Sequence, residues 1–210
     1  MNNNTRRKFR IATTIVAMCL TLCIMVSGIW AATSLKFTGG NTLSFNAQDV
    51  SVALSGNWNY NGSSSTNAIE FTGGTLQDGK YYFDTSLNHG STYSAIVTLA
   101  DFAFQKVTDH YALHITVENT FTDDIPIEAT LTAAVSNDNN GYIAISVISN
   151  EGSNDINGTA KTIEQGSSVT FDVIISIAED KRSNEALLEN GFANIDFDFE
   201  LDIVRATSGS

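Results

Sequence analysis

The chain has 210 residues, with 23 Asp and Glu against 11 Lys and Arg and a net charge of −12. That balance repels polyanions, so nucleic acid and anionic lipid surfaces are excluded as partners. Proline occurs once, and β-branched and aromatic residues recur in short runs between Gly, Asn, Asp and Ser clusters, the pattern of an antiparallel sandwich or barrel.

The first segment reads as a leader. Arg6, Arg7, Lys8 and Arg10 form a basic cluster, residues 11–26 carry no charge, and Gly28, Ala31 and Ala32 follow. This order predicts a signal peptide over residues 1–31, cut after Ala31 or, as the alternative, after Ser34. The uncharged run as far as Leu35 also has the roughly 20 residues of a membrane span. Membrane contact is therefore expected only through the uncleaved signal. Cys19 and Cys23 both lie in this leader. The exported remainder, residues 32–210, is expected to be one secreted domain that relies on its core rather than on disulfides. It would keep seven basic residues against 23 acidic ones, a net charge of −16.

The strand pattern opens at Leu43 to Phe45 and at Val50 to Leu54. Residues 57–66, NWNYNGSSST, read as a polar loop carrying Trp58 and Tyr60. Residues 68–71 form a short strand closed by Gly73-Gly74. The turn Asp78-Gly79 leads into Lys80 to Phe83, and Tyr93 to Leu99 follows. Tyr111, Leu113, Ile115 and Val117 alternate with polar neighbours, as a half-buried strand requires. Ile125 to Val135 alternates likewise. Asn140-Gly141 predicts a two-residue hairpin turn, with Tyr142 to Ile148 returning from it. Residues 159–163 and 169–177 come next. A short helix is expected from Asn184 to Glu189, capped by Ser183 and ended by Gly191. Ile195, Phe197, Phe199, Leu201 and Ile203 form the last strand. The expected fold is all-β, an antiparallel β-sandwich of jelly-roll or Ig-like type with at most one short helix.

No catalytic constellation stands out, and the expectation is a protein that is not an enzyme. His110 and His114 have helical zinc-motif spacing, but they sit in a period-two pattern and would lie about 13 Å apart on one strand face. Asp196, Asp198, Glu200 and Asp202 share the polar face of the last strand, roughly 7 Å from one to the next. A solvated sheet face is expected there, with weak Ca²⁺ binding at Asp196, Asp198 and Glu200 as the residual option. No other cofactor is expected. Trp58, Tyr60, Tyr81 and Tyr82 support an alternative reading as a cell-surface glycan- or wall-binding module. Loop aromatics, however, commonly fold back onto a core.

The export boundary VSGIWAATSLKF and the ending NIDFDFELDIVRA resemble the TasA/camelysin family, exported proteins of Gram-positive bacteria cut by a dedicated signal peptidase. The resemblance implies a jelly-roll subunit of extracellular biofilm-matrix or surface fibres that self-associates by strand addition. It also implies a donor strand over residues 32–46, with Leu35, Phe37, Leu43 and Phe45 as its apolar teeth. The protease activity associated with camelysin is not carried over, because the sequence holds no zinc motif.

Overall fold

The computed structural model describes residues 35–37, 41–61, 67–85, 92–98, 103–138, 141–150, 152, 154–183, 192–193 and 195–206. The expected leader and the expected helix at residues 184–189 lie outside the described residues.

The described residues form fifteen strands in chain order: β1 (Leu35–Phe37), β2 (Asn41–Gln48), β3 (Ser51–Tyr60), β4 (Asn67–Ala68), β5 (Thr75–Gln77), β6 (Lys80–Asp84), β7 (Thr92–Thr98), β8 (Ala103–Phe104), β9 (His110–Asn119), β10 (Ile127–Ser136), β11 (Ile143–Ser149), β12 (Lys161–Ile163), β13 (Ser168–Ile177), β14 (Phe192–Ala193) and β15 (Asp196–Arg205). Among the described residues the helical structure is a single 3₁₀ turn at Glu179–Lys181. The fold is all-β.

A front sheet runs β12-β10-β15-β2-β7, and a back sheet runs β11-β13-β9-β3-β6-β5, with β4 also paired to β3. A small third sheet has the order β14-β1-β8. Alternation along the strands builds the core between front and back. β9 turns Tyr111, Leu113, Ile115 and Val117 inward, β13 turns in Phe171, Val173 and Ile175, and β15 turns in Phe197, Phe199 and Leu201. These join β10 and β2 in one apolar cluster. Burying each large side chain contributes about 1.5–3 kcal/mol before entropy is charged.

The chain changes sheet at every step from β9 through β13, so the connections are arches rather than hairpins. The expected hairpin at Asn140-Gly141 is therefore corrected. β11 leaves β10 and pairs with β13 from Ile143↔Ile177 to Ser149↔Phe171. β10 is flanked by β15 along its whole length on one side, and on the other by β12 at Ile127–Ala129 and then by Gly158 and Asn157 at Leu131 and Ala133. The Asp138 carboxylate turns the chain by accepting the N–H groups of Tyr142 (2.9 Å) and Ile143 (2.8 Å). The expected loop at residues 57–66 is also corrected at its start. β3 runs on through Trp58 and Tyr60, because β9 supplies a partner all the way to Tyr60↔Tyr111. The expected strand at residues 68–71 shrinks to β4, although Ile69 and Phe71 are still buried. The expected turn at Asp78-Gly79 is present. Both residues have positive φ (51° and 79°) and join the Gln77↔Lys80 pair, as a type I′ turn requires.

β2 has an unusual place for a strand so near the N-terminus. It lies inside the front sheet, parallel to β15 on one side and antiparallel to β7 on the other. Leu43, Phe45 and Ala47 are fully buried. Phe45 meets Phe83 and Phe71 with ring centroids 4.9 and 6.3 Å apart.

Candidate functional site

The acidic face of β15 is built as the sequence suggests, with Asp198 and Glu200 exposed and Phe197 and Phe199 buried. The parallel register of β2 places a donor beside two of these carboxylates. Thr42 Oγ1 donates to Asp198 (3.0 Å), and Asn46 Nδ2 donates to Asp202 (2.8 Å). Asn137 Nδ2 donates to Asp196 (2.5 Å). Asp196, Asp198 and Glu200 thus follow one another along a single strand instead of converging. Among the described residues, no three His, Cys, Asp or Glu side chains come together in a way that holds a metal ion.

The histidines separate in role. His114 Nδ1 meets Asp172 Oδ1 at 2.6 Å, and its Nε2 meets Asn59 Nδ2 at 3.2 Å. This Asp172–His114–Asn59 row crosses three adjacent strands, β13, β9 and β3. The group beyond the imidazole is an amide, not a hydroxyl or thiol nucleophile. The nearby Thr116 and Thr170 hydroxyls bond each other at 2.9 Å. His110 instead exchanges backbone bonds with Asn61, whose Oδ1 accepts the His110 N–H (2.8 Å) and whose N–H donates to His110 O (2.9 Å).

Three of the four aromatics considered for sugar stacking turn to the core. Trp58 and Tyr60 meet Tyr111 at centroid distances of 5.8 and 5.0 Å, and Tyr81 meets Phe71 at 5.8 Å. Register places Tyr82 on the opposite face of the back sheet from Tyr81.

Asp109, 3% exposed, ties down the start of β9. It accepts the Tyr60 hydroxyl, Asn61 Nδ2 (2.8 Å) and the N–H groups of Gln105 (2.9 Å) and Lys106 (2.7 Å). Burial pushes its carboxyl up. The bonds from Tyr60, Asn61, Lys106 and Gln105 outweigh that and hold it below the ordinary value. Burial, followed by the bond to Asp109, raises Tyr60 to about 12.

The sheet edges are treated unequally. Unpaired strand edges invite pairing with another chain, and proteins blunt them with charge, irregularity or cover. On β11, Asp138 accepts Ile143 N–H, Asp155 Oδ1 accepts Val147 N–H (3.0 Å), and Ile156 N–H donates to Val147 O (2.7 Å). On β10, past the three-residue β12, Asn157 bonds both backbone groups of Ala133, and Gly158 N–H donates to Leu131 O (3.0 Å). One loop, residues 155–158, therefore caps an edge of each sheet. At the opposite side, the back sheet ends in the short β5 and β4. The front sheet ends in β7, seven residues with no charge, proline or glycine. Among the described residues, no strand pairs the outer side of β7.

The sequence reading did not single out Asp109, Asp138, Asp155 or Asn157. Their one visible signal was an Asp or Asn beside a turn, which side-chain-to-backbone bonding favours.

No family model and no curated protein matches the chain. Among solved structures, a yeast delta-COP-I mu-homology domain aligns with 80% of this chain and 98% of its own, at 7% identity and a TM-score of 0.17. A likeness at that level carries no argument.

Proposed function

We propose that the chain is a secreted, non-catalytic structural subunit of extracellular matrix or surface fibres, assembling by β-strand addition between copies. The observation that carries this reading is the edge of β7. Among the described residues it is a seven-residue, uncharged strand paired on one side, in a molecule that spends Asp138, Asp155 and Asn157 on capping other long edges. Backbone pairing at such an edge supplies affinity, and alternate side chains supply fit.

The donor is the N-terminal segment of a second copy, in the stretch before Asn41 that includes Leu35 and Phe37, and to reach a neighbour β1 must leave its places beside β8 and β14. Leu43 and Phe45 fill this chain's own core, so giving them to a neighbour would require an exchange of β2. Membrane contact is restricted to the export step, and the signal peptidase is a transient partner. The test is negative-stain microscopy of the exported protein beside an Ile96→Lys variant. Position 96 is in register with Ser44, which alternates along β2 with the buried Leu43 and Phe45, and a lysine introduced at this edge is expected to blunt it. The expected result is filaments from the wild type and none from the variant at equal thermal stability. A wild type that stays monomeric at high concentration, or filaments indifferent to both Ile96→Lys and deletion of residues 32–37, would sink the reading.

A further inference from the structure

We infer that Leu76, on the hairpin of β5 and β6, is the side chain against which the incoming strand of a second copy packs. This rests on the strand addition at β7 proposed above and names the surface that selects its occupant.

Register places Leu76 at the end of an inward-facing row of the back sheet. Leu76 stands opposite Tyr81, Tyr81 opposite Leu54, Leu54 opposite Val117, and Val117 opposite Val169. Residues in register across a sheet share one face. Leu54, Val117 and Val169 are buried, and Tyr81 is half-buried against Phe71. Leu76 is 60% exposed. A single exposed leucine is ordinary. One that ends a row whose other members fill the core is a continuation of that core left in water.

The two sheets account for the exposure. Among the described residues the back sheet has six strands in line, from β11 to β5, and the front sheet has five, from β12 to β7. On the side of β11 and β12 they end level, since residues 155–158 bond Val147 in one sheet and Ala133 in the other. The surplus strand of the back sheet is therefore β5, on the side of β7. A strand added to the outer edge of β7 takes the sixth place in the front sheet. It then faces β5 across about 10 Å, the spacing of packed sheets, and covers Leu76.

Length and charge select the occupant. β1 and β5 have three residues each, so one covers the other. Residues 32–48 contain Lys36 and no acid, whereas residues 49–210 hold six basic and 23 acidic residues, a net charge of −17. Two such bodies repel, and the N-terminal segment approaches with the opposite sign. In an added strand Leu35 and Phe37 fall on one face and Lys36 on the other. One of the two apolar residues then meets Leu76, and Lys36 turns to the outer face that carries Asp198 and Glu200.

The experiment joins copies by single cysteines. Exported protein carrying Leu76→Cys is mixed with copies carrying Leu35→Cys or Phe37→Cys, assembled into filaments and mildly oxidised. Cys19 and Cys23, the natural cysteines, lie in the expected leader. The expected product is a disulfide between unlike copies in at least one mixture, read on a non-reducing gel and by peptide mass spectrometry. Leu76→Ser should keep the wild-type melting temperature and raise the concentration needed for filaments about tenfold. Leu76→Met should change neither. Wild-type filaments with no mixed disulfide, or Leu76→Ser assembling at the wild-type concentration, would overturn this inference and leave strand addition at β7 standing. A disulfide between two Leu76→Cys copies in place of the mixed one would assign the hairpin to symmetric pairing and overturn it too. A wild type that forms no filaments removes the fibre reading and this inference together.

Discussion

Asn157 and Ala133 exchange two hydrogen bonds, the side-chain amide standing where a paired strand would be. Asn157 Nδ2 donates to Ala133 O at 2.9 Å, and Ala133 N–H donates to Asn157 Oδ1 at 2.8 Å. Two residues earlier, Asp155 caps Val147 in the other sheet. Asn157→Ala leaves both groups of the buried Ala133 without these partners. It should cost about 1–3 kcal/mol in urea unfolding. Asn157→Asp, which still accepts from Ala133 N–H, should cost less. Equal losses in the two variants would show that the amide pairing is not what the loop contributes.

The Tyr60–Asp109 bond predicts pH limits on both sides of neutrality. The Asp109 carboxyl is held below its ordinary value in the fold. Its contribution is present at neutral pH and is lost as pH falls through the folded value. Tyr60 is raised from 10.0 to about 12. Its contribution is present below pH 10 and fades between there and about 12. Tyr60→Phe should flatten the alkaline limb of a stability–pH curve and, by removing one donor, move the acid limb to higher pH. Asp109→Asn should flatten the acid limb. Melting temperatures across the pH range check both.

Asn119 is fully buried at the end of β9. Its Nδ2 donates to Ile125 O (2.8 Å) and Ile163 O (2.9 Å), and its Oδ1 accepts Phe121 N–H (3.1 Å). One side chain thus anchors the arch from β9 to β10 and the short strand β12. Asn119→Ala should cost about 3 kcal/mol or more, since each orphaned buried group costs about 1–3 kcal/mol. Asn119→Asp should also destabilise, because the carboxylate keeps the acceptor and loses both donors. Denaturant midpoints within error of wild type would refute the anchor.

Gly74 matters for its lack of a side chain. A Cβ there would lie 2.6 Å from Phe83 Cζ, and Phe83 is 4% exposed and packed on Phe45. The ring cannot move away without disturbing the core, so Gly74→Ala should destabilise by about 1–3 kcal/mol. Gly79→Ala meets nothing within 4 Å but sits at φ 79°. Its cost should come from backbone strain alone. Gly74→Ala with Phe83→Leu should recover part of the first loss, which a thermal melt would show.

The faces of β9, β13 and β15 were legible from residue order, because a strand sends alternate side chains to opposite sides wherever it lies. The same order failed at Asn140-Gly141. A turn signal states that the chain bends, whereas in the fold β11 pairs with β13 in the other sheet, and the edge of β10 nearer the turn is held by Asn157 and Gly158 at Ala133 and Leu131. It failed again at Trp58 and Tyr60, where pairing with β9 drew a polar, asparagine-rich stretch into a strand.

Local patterning thus determined the all-β class, most of the strands, their inward residues and the outward acids of β15. The period of a strand is a property of the backbone itself. Only the tertiary structure decided that Thr42 would meet Asp198, 156 residues away, that β2 would run parallel to β15, and which edges Asp155 and Asn157 would cap. Any N–H fits any carbonyl, so partners are chosen by which strands the packed core brings side by side.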